Sequence, residues 1–458
     1  MSRASTRAAV ATLAPRGPRP TRDAPKARDR APDPEPFGTD TARAPRAGDS
    51  RYAPPVVLPL LACTAASPDG SNPSTVGAGP GGGPEVLPGD TTAAWELYND
   101  SVVHRFELEL SADALHRLEL DPKAYVEGAM VHEGERWEPI GVRLKGSASF
   151  QPIGQKPALR LDFDQYVDGM SFHGHERIGL HNNVWDASAM AETLAYRTWR
   201  EADNPAPRTG YAEVYLNGEL RGLYTVVEPM DGEFVDQWWE GPHGALYEMT
   251  RSCDFDVGCD CYELQVEGAG YDPAGLGRGC EAARAGTVEA VAAAFDWERM
   301  VRYLALEKAL NHPDSYSYNL NNYHIYHDPI ADRLTLTPWG ADSTFVYVYP
   351  PWELSQPCEP VYLDVDYTAT VGWLARWCED EPTCRGAMLD ELESLATHLE
   401  DIDLVGLAEA THARIREHVA ADPMVAYSLA DHDYQAACFV DWIRRRPDEL
   451  RVWVAAAR

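Results

Sequence analysis

The sequence predicts an α+β protein with a β-rich N-terminal part and a helical C-terminal part. Short segments that alternate apolar and polar residues dominate residues 100–165 and 211–232. A segment rich in Ala, Val and Leu spans 285–310, and residues from about 386 to 458 are rich in helix-forming residues. Because most of the strands precede most of the helices, the order describes an α+β body.

The first predicted elements are a strand and a short helix. HRFELEL alternates, so its apolar residues share one face: Phe106, Leu108 and Leu110. Ser111 begins SADALHRLEL and is placed to cap a helix. Two further strands are expected in WEPIGVRLKGSASF and KPALRLDFD, joined by a loop that contains Gly and Ser.

A helix and two hairpins follow. Residues 186–202, DASAMAETLAYRTWREA, predict a helix that Asp186 or Ser188 caps, with an apolar face formed in part by Met190, Leu194 and Trp199. YAEVYLNGELRGLYTVVEPMDG predicts a hairpin that turns at Asn217-Gly218. Residues 285–310 predict one long helix. YHIYHDPIADRLTLTPW predicts a second hairpin.

The charge balance argues against some classes of partner. The net charge is −32, and residues 1–50 carry ten Lys or Arg and six Asp or Glu, so the rest of the chain carries about −36. Such a surface repels nucleic acid and anionic membranes. It suits an exported or cation-binding protein, or it is simply a solvated acidic surface. The sequence contains no apolar run of about 18 residues, so no transmembrane helix is expected.

The N-terminal region predicts export. Residues 1–50 are low in complexity, and we expect them to be disordered or to precede the true start of translation. Residues 51–63 contain a short apolar run ending at Cys63, which resembles a lipoprotein signal whose Cys is lipidated. Residues 64–95 read as a Gly/Ser/Pro linker, and 96–458 as the folded domain.

The cysteines also favour an oxidising compartment. Besides Cys63 there are eight, in two groups of four: Cys253, Cys259, Cys261 and Cys280, then Cys358, Cys378, Cys384 and Cys438. An even number suits disulfides. The alternative is zinc held by the first group, whose spacing lacks the paired C-x2-C knuckles of a zinc ribbon.

The segment NHPDSYSYNLNNYHIYHD, residues 311–328, contains the most distinctive pattern. His312 and Asp314 are followed by Asn319, and Asp342 follows the next hairpin. In phosphoryl transfer an Asp positions the attacking hydroxyl, while an Asn and a second Asp hold divalent cations. Hard oxygen ligands are those that Mg²⁺ prefers. The pattern therefore has the shape of a site in which Asp314 positions a hydroxyl and Asn319 and Asp342 hold divalent cations.

A phosphate-binding region is predicted upstream. The loop RLKGSASF offers cations, a glycine and hydroxyls that could cradle a phosphate: Arg143, Lys145, Gly146 and Ser147. Lys156 opens the following strand, and Glu192 on the next helix could pair with it. YTVVEPMDG, which contains Glu228, lies where an interlobe hinge would fall. The order of these pieces is that of a kinase domain.

These segments resemble the spore-coat CotH kinases, a family of atypical protein-kinase-like proteins, over residues 100–350. The resemblance shows in GVRLKGSASF, KPALRLDF, EVYLNGELRGLYTVVEPMD, NHPDSYSYNLNNYHIYHDP and PWGADSTF. It implies a two-lobed kinase-like fold, ATP with Mg²⁺ or Mn²⁺, and transfer of phosphate to a Ser or Thr hydroxyl of an exported protein. The resemblance implies that Asp314 is the catalytic acid and that Asn319 and Asp342 are cation ligands. It also implies that Lys156 contacts the nucleotide phosphates and that Asn322 supports the site. Glu228 is a further candidate cofactor-binding residue.

The sequence departs from the family pattern at a few positions. Gly340 stands where an Asp is common, Lys145 and Ser147 where Arg and Asn are usual, and Ala191 where an Arg precedes the helix glutamate. Two other functions stay open. One is a catalytically inactive surface adhesin or scaffold, and the other is a glycan-active enzyme using Asp314 and Asp342. The expected partners are a nucleotide and an exported protein, with membrane contact only through a lipid anchor at Cys63.

Overall fold

The structure is a computed structural model that describes residues 96–99, 101–250, 252–346 and 368–458. The predicted N-terminal segment 1–50, the signal at 51–63 and the linker at 64–95 lie outside the described residues, as does Cys358. All described residues belong to one compact unit. Among them, no helix is both long and apolar enough to cross a membrane.

The N-terminal part is a closed barrel of seven strands. They are β1 (Val103–Leu110), β2 (Val126–His132), β3 (Glu135–Lys145), β4 (Ala158–Asp162), β5 (Arg177–His181), β6 (Thr209–Leu216) and β7 (Glu219–Val227). Their order is β1-β2-β3-β4-β5-β7-β6, and a parallel pairing of β1 with β6 closes it. The alternation in β1 is confirmed, because Phe106, Leu108 and Leu110 are buried.

Local signals explain the ends of several barrel elements. α1 (Ala112–Leu120) begins after Ser111, whose side chain accepts a hydrogen bond from the Ala114 amide. β6 and β7 meet at Asn217-Gly218, where both residues have positive φ, as a two-residue hairpin turn requires. The sequence predicted these hairpins but not that the sheet closes into a barrel.

α2 (Ala191–Glu201) lies between β5 and β6 in the chain and begins five residues later than predicted. Its N-cap residue is Met190, which makes no side-chain cap hydrogen bond, so the predicted cap at Asp186 or Ser188 is wrong; both residues instead bond to nearby amides. Asp186 Oδ2 accepts from the Ala191 amide at 2.8 Å, and Ser188 Oγ accepts from the Met190 amide at 3.1 Å. These bonds stabilise the turn before the helix rather than a longer helix.

A second, four-stranded sheet follows α3 (Gly232–Trp238). Its strands are β8 (Ala245–Met249), β9 (Tyr262–Glu267), β10 (Tyr323–Asp328) and β11 (Arg333–Pro338), in the order β11-β10-β8-β9. β10 and β11 form the predicted second hairpin.

The remaining elements are mainly helices, as predicted for the tail from about residue 386. They are α4 (Gly275–Ala285), α5 (Val288–Ala294), α6 (Trp297–Ala309), the single turn α7 (Tyr316–Asn319), α8 (Trp373–Asp380), α9 (Pro382–Asp401), α10 (Leu404–Ala421) and α11 (Leu429–Ala457). The single helix expected over 285–310 is wrong. Asp296 interrupts it, because its side chain caps α6 at the Arg299 amide and its own amide donates to Leu334 O.

Disulfides cross-link the first cysteine group. Cys253 bonds to Cys261 and Cys259 to Cys280. These four thiols are therefore not available to zinc, and the zinc alternative is wrong for this state of the chain. A third bridge joins Cys378 to Cys384, and Cys438 is also disulfide-bonded.

Candidate active site

The loop that carries Asp314 is supported from the core. Glu307, on α6, is fully buried and accepts hydrogen bonds from the amides of Tyr316 and Ser317 at 3.1 and 3.0 Å. Burial raises the pKa of Glu307 to about 7. Arg446 of α11 donates to the carbonyls of Ala309 and Lys308, which end α6. The C-terminal helices therefore help to fix the start of the loop.

Three asparagine side chains converge on Asp314. The amide nitrogens of Asn319 and Asn321 lie 2.5 and 3.1 Å from its Oδ1, and that of Asn322 lies 2.8 Å from Oδ2. Asn322 also donates to the Asp314 carbonyl at 2.9 Å. These donors hold the carboxylate in one orientation while it stays partly accessible. The sequence pattern had placed Asn319 and Asn322 here but had missed Asn321.

Asp342 lies in a short 3-10 turn, Ala341–Ser343, after Gly340. Burial raises its pKa well above the ordinary value, and the negative charges of Glu192, Asp314 and Asp186 raise it further. Asp342 and Asp314 thus belong to one group of like charges.

Gly340 allows this close packing. It has φ +51°, and a Cβ on it would lie 2.7 Å from the Asn322 side chain. The Asn322 amide that holds Asp314 occupies the space where a side chain at position 340 would begin. This contact is a steric reason for glycine in place of the Asp that is common in the CotH pattern.

Glu192 connects to Lys145 through a histidine. His181 Nδ1 lies 2.7 Å from Glu192 Oε2, and His181 Nε2 is hydrogen-bonded to Lys145 Nζ. Burial lowers the pKa of His181, which favours a neutral ring that donates to Glu192 and accepts from Lys145. Burial also lowers the pKa of Lys145 to about 7, although the charges of Glu192 and Asp342 oppose that change.

Arg143 and Arg160 extend the basic surface beside Lys145. Arg143 faces Arg160 across β3 and β4, and Lys145 lies two residues from Arg143, so the three side chains share one face of the sheet. The Nε of Arg160 is buried and has no hydrogen-bond partner within the described part of the chain. A buried guanidinium nitrogen without a partner fits an anion-binding position.

The loop after β3 is tight. Gly146 has φ +102°, and a Cβ on it would lie 2.9 Å from Ser149 Oγ. Ser147 is exposed, and its carbonyl accepts from the Phe150 amide at 3.2 Å. The backbone therefore turns sharply next to Lys145, as a phosphate-binding loop does.

Two predicted cofactor-binding residues, Lys156 and Glu228, form buried ion pairs with residues that were not predicted to belong to the site. Lys156 Nζ lies 2.6 Å from Asp422 Oδ2, and both side chains are buried. Its predicted pairing with Glu192 is therefore wrong, since Asp422, from the end of α10, takes that place. Glu228 is fully buried and accepts from the side chain and the amide of Arg208. The first pair joins segments 266 residues apart in the chain, whereas the second joins the two ends of the β6–β7 hairpin.

A comparison with protein-family models decides the relationship. The model described as CotH kinase protein matches residues 142–450. The chain belongs to the CotH kinase family. No curated protein matches the chain. The family match begins within β3, includes every residue of the candidate site, and runs through the C-terminal helices to α11. For a CotH kinase, the basic strand face and the carboxylate group are therefore parts of the family domain.

Within this CotH domain, sequence reasoning missed three residues besides Asn321. Arg160 could have been found from the predicted β3–β4 pairing, which places it opposite Arg143. His181 had no signal beyond its place in GLHNN. Trp339, whose ring centroid lies 5.1 Å from Lys145 Nζ and 5.7 Å from the His181 ring, was visible only as part of PWGAD.

Proposed function

We propose that this chain is a metal-dependent atypical protein kinase that transfers the γ-phosphate of ATP to a Ser or Thr hydroxyl of an exported protein. The single observation that carries the proposal is that His181 hydrogen-bonds to both Lys145 Nζ and Glu192 Oε2, while the charges of Glu192 and Asp342 both raise the pKa of Lys145. A cation suited to phosphate, the helix glutamate and a carboxylate suited to a metal ion would thereby act at one site. The family membership supports the same reaction class.

The residues fit a divalent cation with a nucleotide. Asp342 offers a carboxylate of the type that Mg²⁺ prefers, and neighbouring carboxylates raise its pKa, so a bound cation would relieve their repulsion. Asp342 and Asn319 would hold the metal. Arg143, Lys145 and Arg160 would bind phosphate oxygens, with Gly146 and Ser147 beside them.

The bound metal nucleotide would supply the phosphoryl group that is transferred. Asp314 would orient the acceptor hydroxyl and take up its proton on a carboxylate oxygen, since its asparagine donors fix the carboxylate's direction. His181 and Glu192 would position Lys145, because the imidazole accepts from its ammonium group.

The barrel and the helical part would act as the two lobes of a kinase-like fold. Lys145 and His181 come from the barrel, whereas Asp314 and Asp342 come from the part that contains the second sheet. The disulfides support a location in an oxidising compartment. The proposal also includes export, a lipid anchor at Cys63 and no binding to nucleic acid, because the surface is acidic.

The test is a binding and transfer assay on the full chain with ATP and Mg²⁺ or Mn²⁺. Thermal shift would report binding, and labelled phosphate on a serine-rich or acidic test protein would report transfer. Asp342→Ala should lose both the metal-dependent shift and the label. Asp314→Asn should keep the shift but lose about 10²- to 10⁴-fold in rate, the range for a general base.

The matched control is Asp168→Ala, which removes an exposed carboxylate outside the site and should change neither signal. Absence of both shift and label with either metal would reject the kinase and favour the inactive scaffold. Turnover of a glycan without nucleotide would favour the third function.

A further inference from the structure

A second group of metal-type ligands lies far along the chain from the candidate active site. His412 is on α10, and His432 and Asp433 are in the first turns of α11. One ligand atom from each of the three residues lies within 4.8 Å of the others. The two imidazole rings are 5.0 Å apart between centroids. The two helices therefore bring two imidazoles and one carboxylate together.

His432 presents a buried lone pair to this group. The residue is fully buried, and its Nδ1 lies 3.0 Å from the Ala187 carbonyl oxygen. Because a carbonyl only accepts, Nδ1 carries the proton and Nε2 carries the lone pair. That Nε2 has no hydrogen-bond partner among the residues that the structure describes. Metal-binding histidines have this arrangement, in which a carbonyl fixes the tautomer.

The carboxylate is also held in place. Arg416 donates to both oxygens of Asp433 at 2.7 Å, and His412 Nε2 lies 3.0 Å from Oδ1. Ligating carboxylates commonly have such outer donors. Arg416 orients Asp433 and also reduces the charge that a metal would meet.

We propose that His412, His432 and Asp433 form a binding site for a zinc-class transition-metal ion. Two imidazoles and a carboxylate suit Zn²⁺ better than Mg²⁺, which prefers oxygen alone. Three protein ligands leave a fourth position for water. The cysteines Cys253, Cys259, Cys261 and Cys280 are in disulfides and do not compete for the ion.

A metal ion at this site would also stabilise the packing of helices α10 and α11 against the active-site region. His432 contacts the carbonyl of Ala187, and the neighbouring Asp186 accepts from the first amide of α2, which carries Glu192. An ion bound there would therefore hold α10 and α11 against the turn before α2. This inference does not depend on kinase activity.

The test measures zinc binding by the metal-free full chain. Equilibrium dialysis with Zn²⁺, in excess Mg²⁺ to occupy oxygen-rich sites, gives the stoichiometry, and Co²⁺ absorption reports the coordination. We expect one ion per chain and at least a tenfold loss of affinity in both His432→Ala and His412→Gln. His412 is only partly buried, so His412→Gln remains informative where His432→Ala unfolds.

Two variants serve as controls. His418→Ala removes another histidine of α10, one that pairs with Glu213, and Asp342→Ala removes a carboxylate of the active site. Both should keep the zinc. No stoichiometric zinc, or equal binding by His412→Gln and the wild type, would overturn the proposal. His412 and Asp433 would then be part of a hydrogen-bonded cluster with Arg416, and His432 would be a buried neutral histidine beside it.

Discussion

Lys145 should make nucleotide affinity depend on pH. Burial and then the charge of Arg160 lower its pKa from 10.5 to about 7, against the opposing charges of Glu192 and Asp342. A lysine with this pKa is charged below pH 7 and loses its charge as the pH rises. Because phosphate binds the ammonium form, ATP affinity should fall above pH 7.

The magnitude follows from the charged fraction. With a pKa of about 7, roughly half of the Lys145 side chains are charged at pH 7, about one in eleven at pH 8 and about one in a hundred at pH 9. The apparent Kd is the intrinsic Kd divided by that fraction. It should therefore rise about fivefold from pH 7 to 8 and about tenfold from pH 8 to 9, until the pH reaches the higher pKa of Lys145 in the complex.

The assay compares wild type with Lys145→Arg. ATP affinity is measured by calorimetry at constant free Mg²⁺ between pH 6 and 9. Arginine stays charged throughout this range, so the variant should lack the Lys145 component of the slope. Both proteins contain Asp342 and the other ionisable groups, so the difference in log Kd between them isolates Lys145.

Lys156→Arg is the second comparison, because Lys156 pairs with Asp422 and should leave the wild-type slope unchanged. The reasoning fails if wild type and Lys145→Arg have the same slope. It also fails if the pH dependence disappears with Lys156→Arg instead.

Three other changes test separate parts of the structure. Lys156→Met should lower the free energy of unfolding by about 3–5 kcal/mol because it leaves buried Asp422 without its cationic partner. In denaturant titrations the double variant Lys156→Met/Asp422→Asn should lose less stability than the sum of the two single variants, and strict additivity would contradict a stabilising interaction between the two residues. Gly340→Ala should lower the free energy of unfolding by about 1–2 kcal/mol, because of the positive φ at this position and the contact of the new Cβ with Asn322. The rate of phosphate transfer should also fall, and an unchanged rate would show that the position of Asn322 does not matter for catalysis. Arg160→Gln should weaken ATP binding by about 1.5–3 kcal/mol, which corresponds to the loss of one charge-assisted hydrogen bond, without lowering the melting temperature. A lower melting temperature with normal ATP binding would instead show that Arg160 has a structural role.

Much of the fold was predictable because its signals are local. The β6–β7 turn needs positive φ at two adjacent positions, and Asn217-Gly218 supplies them. The Ser111 cap likewise acts three residues along the chain. The break at Asp296 has a local signal as well, because its side chain caps the Arg299 amide, but the partner of its own amide, the Leu334 carbonyl, is distant in sequence.

The Asp314 cluster was predictable for the same reason. Asn319, Asn321 and Asn322 all lie within eight residues of Asp314, so one compact loop can bring them together. A pattern of an acid followed by amides is therefore readable from the chain. Asp342 follows one hairpin later, and the register of β10 with β11 returns it to the same end of the sheet.

The sequence by itself determined the general order of strands and helices, the β6–β7 turn, the Ser111 cap and most of the loop around Asp314, because each depends on neighbours in the chain. Only the tertiary structure decided which lysine joins Glu192. Lys156 is closer in sequence to Glu192, but the fold places it against Asp422, 266 residues away, and directs Lys145 to His181 instead. Barrel closure and the register of β3 with β4 set those neighbours, and both depend on contacts between distant segments.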